Sequence, residues 1–139
     1  MRSDTHAALS SSREALADEI ANGLAQFYGG DELYRHMLGI RYTTGVRYLA
    51  ERAGAYWLID AIASYQSGRK VRNNRRLQEF QLWELTVDLA ARSCVLTCKE
   101  DSGEHEKPVI TQEIEYTDFP LDYIKLYMED GVLLLPSEH

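Results

Sequence analysis

AYWLIDAIASYQ, residues 55–66, is a nearly continuous apolar run in an acidic chain, and Asp60, Ser64 and Gln66 are its only polar residues. Asp60 and Ser64 stand one helical turn apart, so the run predicts a helix that is apolar all round except for one narrow stripe. Such a helix is buried on most sides. Removing Trp57, Leu58, Ile59 and Ile62 from water at roughly 1.5–3 kcal/mol each amounts to about 6–12 kcal/mol before chain entropy is subtracted. We therefore place this segment at the centre of the core. It is far shorter than the roughly 20 residues a bilayer requires, and the N-terminus lacks a basic-then-apolar leader pattern. The expectation is a soluble, cytoplasmic protein with no membrane contact.

Working upstream, TGVRYLAERAG (44–54) predicts a short helix closed by Gly54, with Val46, Leu49 and Ala50 on one side and Arg47 and Glu51 paired at i,i+4. Residues 31–43 have mixed periodicity and are read as a helical turn followed by irregular chain. Ser11 and Glu14 form a capping box that opens an earlier helix, in which Leu16, Ile20, Leu24 and Phe27 recur until Gly29-Gly30; residues 1–10 are a flexible lead-in. Downstream the period changes. FQLWELTV (80–87), SCVLTC (93–98), VITQEIEY (109–116) and YIKLYME (123–129) are rich in β-branched and aromatic residues and are separated by turn-forming segments. Asp130-Gly131 is a two-residue hairpin signal, because the turn that matches sheet twist needs positive φ at both central positions, and it adds a strand over 132–135. The pattern predicts an α+β domain spanning 1–139, with N-terminal helices packed on one face of a C-terminal antiparallel meander of four to five strands. In VITQEIEY, Ile110, Ile114 and Tyr116 would point inward and Thr111, Glu113 and Glu115 to water.

With 139 residues, 45% hydrophobic and 27% charged, the chain can bury one core without staples or metals. Cys94 and Cys98, on one strand, would lie about 13 Å apart, too far to bridge or to share a metal, and are read as buried thiols. His6, His36, His105 and His139 follow no ligand spacing, so neither a metal nor a cofactor is implied.

Charge is unevenly distributed. Residues 1–98 hold 12 Lys and Arg against 11 Asp and Glu, and residues 99–139 hold 3 against 11, within a net charge of −7. Arg69, Lys70, Arg72, Arg75 and Arg76 cluster in GRKVRNNRR, read as an exposed loop that could contact nucleic acid, with Asn73 and Asn74 adding hydrogen bonds; the overall negative charge opposes polyanion binding. Glu113 and Glu115, about 6.6 Å apart on one strand face, could imitate successive phosphates and meet a basic groove on another protein. Tyr123 and Tyr127 flank Lys125 on the same side of their strand and suit a protein contact or a homodimer. Asp60 is the weak catalytic candidate: a carboxylate in an apolar helix, near whichever of His36, Arg41 or Tyr42 folds over it, could act as a general base. No nucleophile motif, phosphate loop or second acid accompanies it, which favours a structural role.

The strings GVRYLAERAGAYWLIDAIASYQ, FQLWELTV and QEIEYTDFPLDYIKLYMEDGVLLLPSEH resemble a family of short bacterial proteins classed only as a domain of unknown function and often carried on plasmids and other mobile elements. The resemblance spans about residues 40–139. It implies an accessory protein of mobile DNA and transfers no activity, substrate or site residue. The resulting expectation is a non-catalytic interaction or regulatory protein working through its acidic, tyrosine-bearing sheet and that sheet's edge, with a protein partner or a second copy. Nucleic-acid association through residues 69–76 and a small enzyme built on Asp60 are the alternatives.

Overall fold

The computed structural model describes residues 2–30, 32–103 and 106–139, with side chains from Ser12 onward. The order is α1 (Arg2–Leu24), β1 (Leu33–Arg35), β2 (Arg41–Thr43), α2 (Thr44–Ala53), α3 (Tyr56–Tyr65), α4 (Arg69–Arg72), α5 (Arg75–Glu79), β3 (Phe80–Asp88), β4 (Ser93–Lys99), β5 (Ile110–Ile114), β6 (Tyr123–Glu129), β7 (Val132–Leu134) and a 3-10 turn, Pro136–Glu138. The class is α+β. The strands are not a four- or five-stranded meander but a mixed sheet of seven, ordered β1-β2-β7-β6-β3-β4-β5, with β2 parallel to β7. β1 with β2, β3 with β4 and β5, and β6 with β7 are neighbours in chain order, but β6 does not continue from β5; it returns to the far edge of β3. That choice gives β3 a partner on each side, and β3 carries the buried Trp83 and Leu85. The longest strand thereby lies inside the sheet, next to the middle strand β6.

Helix α3 forms where residues 55–66 predict it, with Leu58, Ile59, Ile62 and Ala63 buried. Two of its aromatics differ from expectation: Trp57 is only half-buried and Tyr56 is exposed, because both lie on the outward side with Asp60. Tyr65 fastens the helix to the sheet, its ring 5.6 Å from that of Trp83 and its hydroxyl donating to Gln112 Oε1 at 2.7 Å. Helix α2 is capped by Thr43, whose Oγ1 accepts from the Val46 amide at 3.3 Å, and it ends at Gly54.

Residues 31–43, expected as a helical turn and irregular chain, instead form the β1–β2 hairpin from Leu33 onward. The strands are three residues each, too short for a period to register, and β2 is held by a strand about ninety residues later. The capping box is also overturned, since α1 begins at Arg2 and runs through Ser11. Asp130 and Gly131 take φ of 50° and 75°, the turn their sequence demands. Beyond β7, the Glu138 carboxylate accepts from the Thr43 hydroxyl at 2.6 Å, the Leu135 amide at 3.0 Å and the Gly45 amide at 3.3 Å, which places a negative charge at the start of α2. Gly45 leaves room for it: a Cβ there would lie 2.6 Å from that carboxylate.

Trp83, Leu85, Leu96, Cys98, Leu126, Met128 and Leu133 join the core beneath the helices. The alternate residues face away. Leu82 and Leu134, buried among neighbours on that second face, stand apart from the core. Among the described residues, no helix is long and apolar enough to cross a membrane.

Candidate interaction surface

His36 is the residue that reaches Asp60. Its Nε2 lies 2.6 Å from Asp60 Oδ1, and its Nδ1 accepts from the Leu38 amide at 3.0 Å. An accepting ring nitrogen carries no proton, so the neutral ring holds its proton on Nε2 and donates it to Asp60. Both nitrogens are thus occupied, leaving none for a substrate. The Asp60 side chain itself is 66% exposed and lies outside the clefts that Arg13, Phe80 and Tyr48 help to line. The arrangement is a brace between the β1–β2 hairpin and α3.

A second brace runs along the hairpin's other side. The Arg47 guanidinium sits 4.4 Å from the centroid of the Tyr34 ring and its Nε lies 2.9 Å from Glu51 Oε1, which also accepts from the Tyr56 hydroxyl at 3.1 Å. Hydrogen bonding to Glu51 raises the Arg47 pKa, and the same bond lowers that of Glu51. Tyr34 stacks on Tyr42 with centroids 5.7 Å apart. At the turn, the His36 amide donates to Ile40 O at 2.8 Å and the Gly39 amide to His36 O at 2.9 Å. Met37 is 92% exposed and Leu38 58% at the tip of this fixed hairpin. Arg35 and Arg41 stand directly opposite each other where the two strands meet the turn, both exposed, and neither belongs to an ion pair among the described residues. Like charges facing across a strand pair repel.

On the open sheet face, Glu84 is the centre of a polar cluster. Lys99 Nζ lies 2.8 Å away, Lys125 is its direct neighbour on β6, and the Tyr123 hydroxyl donates to it. Burial pushes the Glu84 carboxyl up, but the bonds from Lys99 and Tyr123 and the charges of Lys99 and Lys125 outweigh it and hold the pKa below the ordinary value. Burial, followed by the bond to Glu84, raises Tyr123. Tyr127 packs between Phe80 and His139, at 5.3 and 5.4 Å between centroids, and His139 Nε2 meets Glu129 Oε1 at 2.5 Å. Both tyrosines therefore hold the face together. The lowered Glu84 pKa carries a pH signature: its contribution is complete above the ordinary carboxylate range and is lost as pH falls through the lower folded value. Urea midpoints are expected to fall more steeply between about pH 5 and pH 3 in the wild type than in Glu84→Gln. Equal slopes would exclude this role.

Glu113 is exposed on β5, but the strand ends at Ile114, so Glu115 lies past it and the two do not make the pair on one strand face that the sequence predicts. Tyr116, expected inward, is 66% exposed, and the buried positions of that turn are Thr117 and Phe119.

The Arg-rich segment is not a bare loop. It folds as α4 and α5, pinned by buried Val71 and Leu77, with Asn74 Oδ1 accepting from the Leu77 amide at 3.1 Å. Arg69, Lys70, Arg72, Arg75 and Arg76 are all exposed, and Arg76 approaches Glu100 at 4.0 Å and Asp101 at 3.8 Å. Cys94 and Cys98 are free and buried; burial raises both thiols, Cys98 to about 12, so neither offers a thiolate. Among the described residues, no group of three or more His, Cys, Asp or Glu is placed to hold a metal. Glu104 and His105, and the side chains of His6 and Ser11, lie outside the described residues.

Sequence reasoning placed His36 among Asp60's three candidate partners. It passed over Arg35, Met37 and Leu38, and named Arg41 only as a possible partner of Asp60, although Gly39 between two short runs was an available turn signal. Compared with known proteins, residues 18–139 match a family described as being of unknown function. No curated protein and no solved structure matches.

Proposed function

We propose, for a chain that belongs to DUF6876, a family of unknown function, that it is a non-catalytic interaction module whose docking element is the β1–β2 hairpin. The observation that carries this reading is Met37, 92% exposed at the tip of a hairpin braced to α2 and α3. An apolar tip that is already ordered loses little entropy on binding. Arg35 and Arg41 beside it specify a partner whose apolar pocket has an acidic rim. The open sheet face, with Tyr123 and Tyr127 occupied internally, is not the anchor, and exposed Glu113 and Glu115 lie on and just after β5, at the opposite edge of the sheet from the hairpin. A role as a cytoplasmic accessory of bacterial mobile elements rests on the resemblance of the three strings alone.

Affinity capture from a host lysate tests the reading. Wild type is expected to retain a partner that Met37→Asp/Leu38→Asp loses, with Arg35→Glu/Arg41→Glu weakening capture at low salt. Identical partners on wild type and both variants would remove the hairpin from the interface.

A second reading, nucleic-acid contact, is favoured by one observation: Arg69, Lys70, Arg72 and Arg75 are exposed and enter no ion pair among the described residues. It expects salt-sensitive DNA or RNA binding that drops when Arg72, Arg75 and Arg76 are replaced by Ala, measured by fluorescence polarisation. Binding unaffected by the triple substitution refutes it.

A further inference from the structure

A cleft of about 220 Å³ opens between α1 and the loops that follow β3 and β5. Its apolar wall is formed by Val87, Leu89, Phe119 and Pro120, and Leu89 is left 50% exposed there. Arg13 from α1 and Arg92 from the β3–β4 loop also line it. Arg92 is the unusual member, with φ of 58°, in the left-handed region that a side chain disfavours and glycine takes freely.

The backbone explains why that position must be left-handed. Asp88 Oδ1 accepts from the Ala90 and Ala91 amides at 3.1 and 3.0 Å, and the Arg92 amide then closes the loop on Asp88 O at 2.8 Å. Arg92 O in turn accepts from the Thr117 amide at 2.8 Å, tying in the loop after β5. None of these bonds uses the guanidinium. Glycine would make the same turn with less strain, so the arginine is accounted for by what its side chain does.

We propose that this cleft is a binding site for a small organic anion with an apolar body, its charged group held between Arg13 and Arg92. Glu14 and Asp118 also line the cleft, yet neither arginine is in an ion pair among the described residues. The guanidiniums are therefore available for hydrogen bonding to a carboxylate, sulfonate or phosphodiester. The two acids restrict the ligand to low charge, because a compact dianion would be repelled by them. The cleft is open on one side, so a fused pair of rings can seat against Leu89 while a third, linked ring extends towards solvent.

Anilinonaphthalene sulfonate is a fitting probe: an apolar two-part aromatic body with one negative charge, bright when removed from water. The full-length protein is expected to bind one equivalent, with neutral N-phenylnaphthylamine at least about tenfold weaker. Arg92→Gly is expected to raise Tm while weakening sulfonate binding about tenfold or more, and Arg13→Ala to weaken it comparably without raising Tm. A purely structural Arg92 would give the Tm rise alone. The proposal fails if the probe does not bind, if the neutral analogue binds equally well, or if both arginine variants bind like wild type.

Discussion

Gln81→Leu is expected to destabilise the protein by about 3–5 kcal/mol, although leucine is nearly the same size as glutamine. Gln81 is 2% exposed and all of its amide is in use. Oε1 accepts from Trp83 Nε1 at 2.7 Å and from Gln66 Nε2 at 2.9 Å, while Nε2 donates to Leu77 O at 2.8 Å and to Gln66 Oε1 at 2.8 Å. Leucine would leave the Trp83 N–H and the Leu77 carbonyl buried without partners, each costing about 1–3 kcal/mol. Gln66 is half-buried and can turn to water, so Gln66→Leu should cost only about 1–2 kcal/mol. Urea denaturation followed by circular dichroism measures both. A loss below about 1 kcal/mol at Gln81 would show that the network contributes nothing net.

Ile62→Ala is expected to cost about 3–4 kcal/mol, and Trp57→Ala, despite removing a larger side chain from the same helix, about 1–2 kcal/mol. Ile62 is fully buried, so its truncation opens a cavity that close-packed neighbours cannot fill; Trp57 is half in water already. The order of the two effects is the test. A greater loss at Trp57 would mean that the outward side of α3 is its packed side, contrary to the fold described above.

The parts of the fold that were legible in the amino-acid order are those where one local signal dominates. The apolar density of residues 55–66 announces α3, the alternation in 80–88 and 93–99 announces β3 and β4, and Asp130-Gly131 announces the last hairpin. Two failures share a cause. Strands β1 and β2 are too short to show a period, and β6 pairs with β3 rather than with the strand before it; in both cases the deciding partner is remote in sequence. Helices α4 and α5 were hidden because five cations drew attention from Val71 and Leu77, the residues that anchor them. For the surface, Asp60's pairing was within reach of residue-type reasoning. The exposed tip was not, since Met37 and Leu38 look like ordinary core residues until their solvent exposure is known.

The parallel join between β2 and β7 sets an order on biosynthesis. Residues 41–43 leave the ribosome long before residues 132–134, yet they find their place in the sheet only against the latter. Through most of translation the first hairpin has α2 and α3 to brace it but no further strand to lie beside, and its greasy point is available to whatever waits at the exit tunnel. The sheet is completed only when the final strand emerges, so a nascent chain stalled before Val132 should be open to proteases and to chaperones.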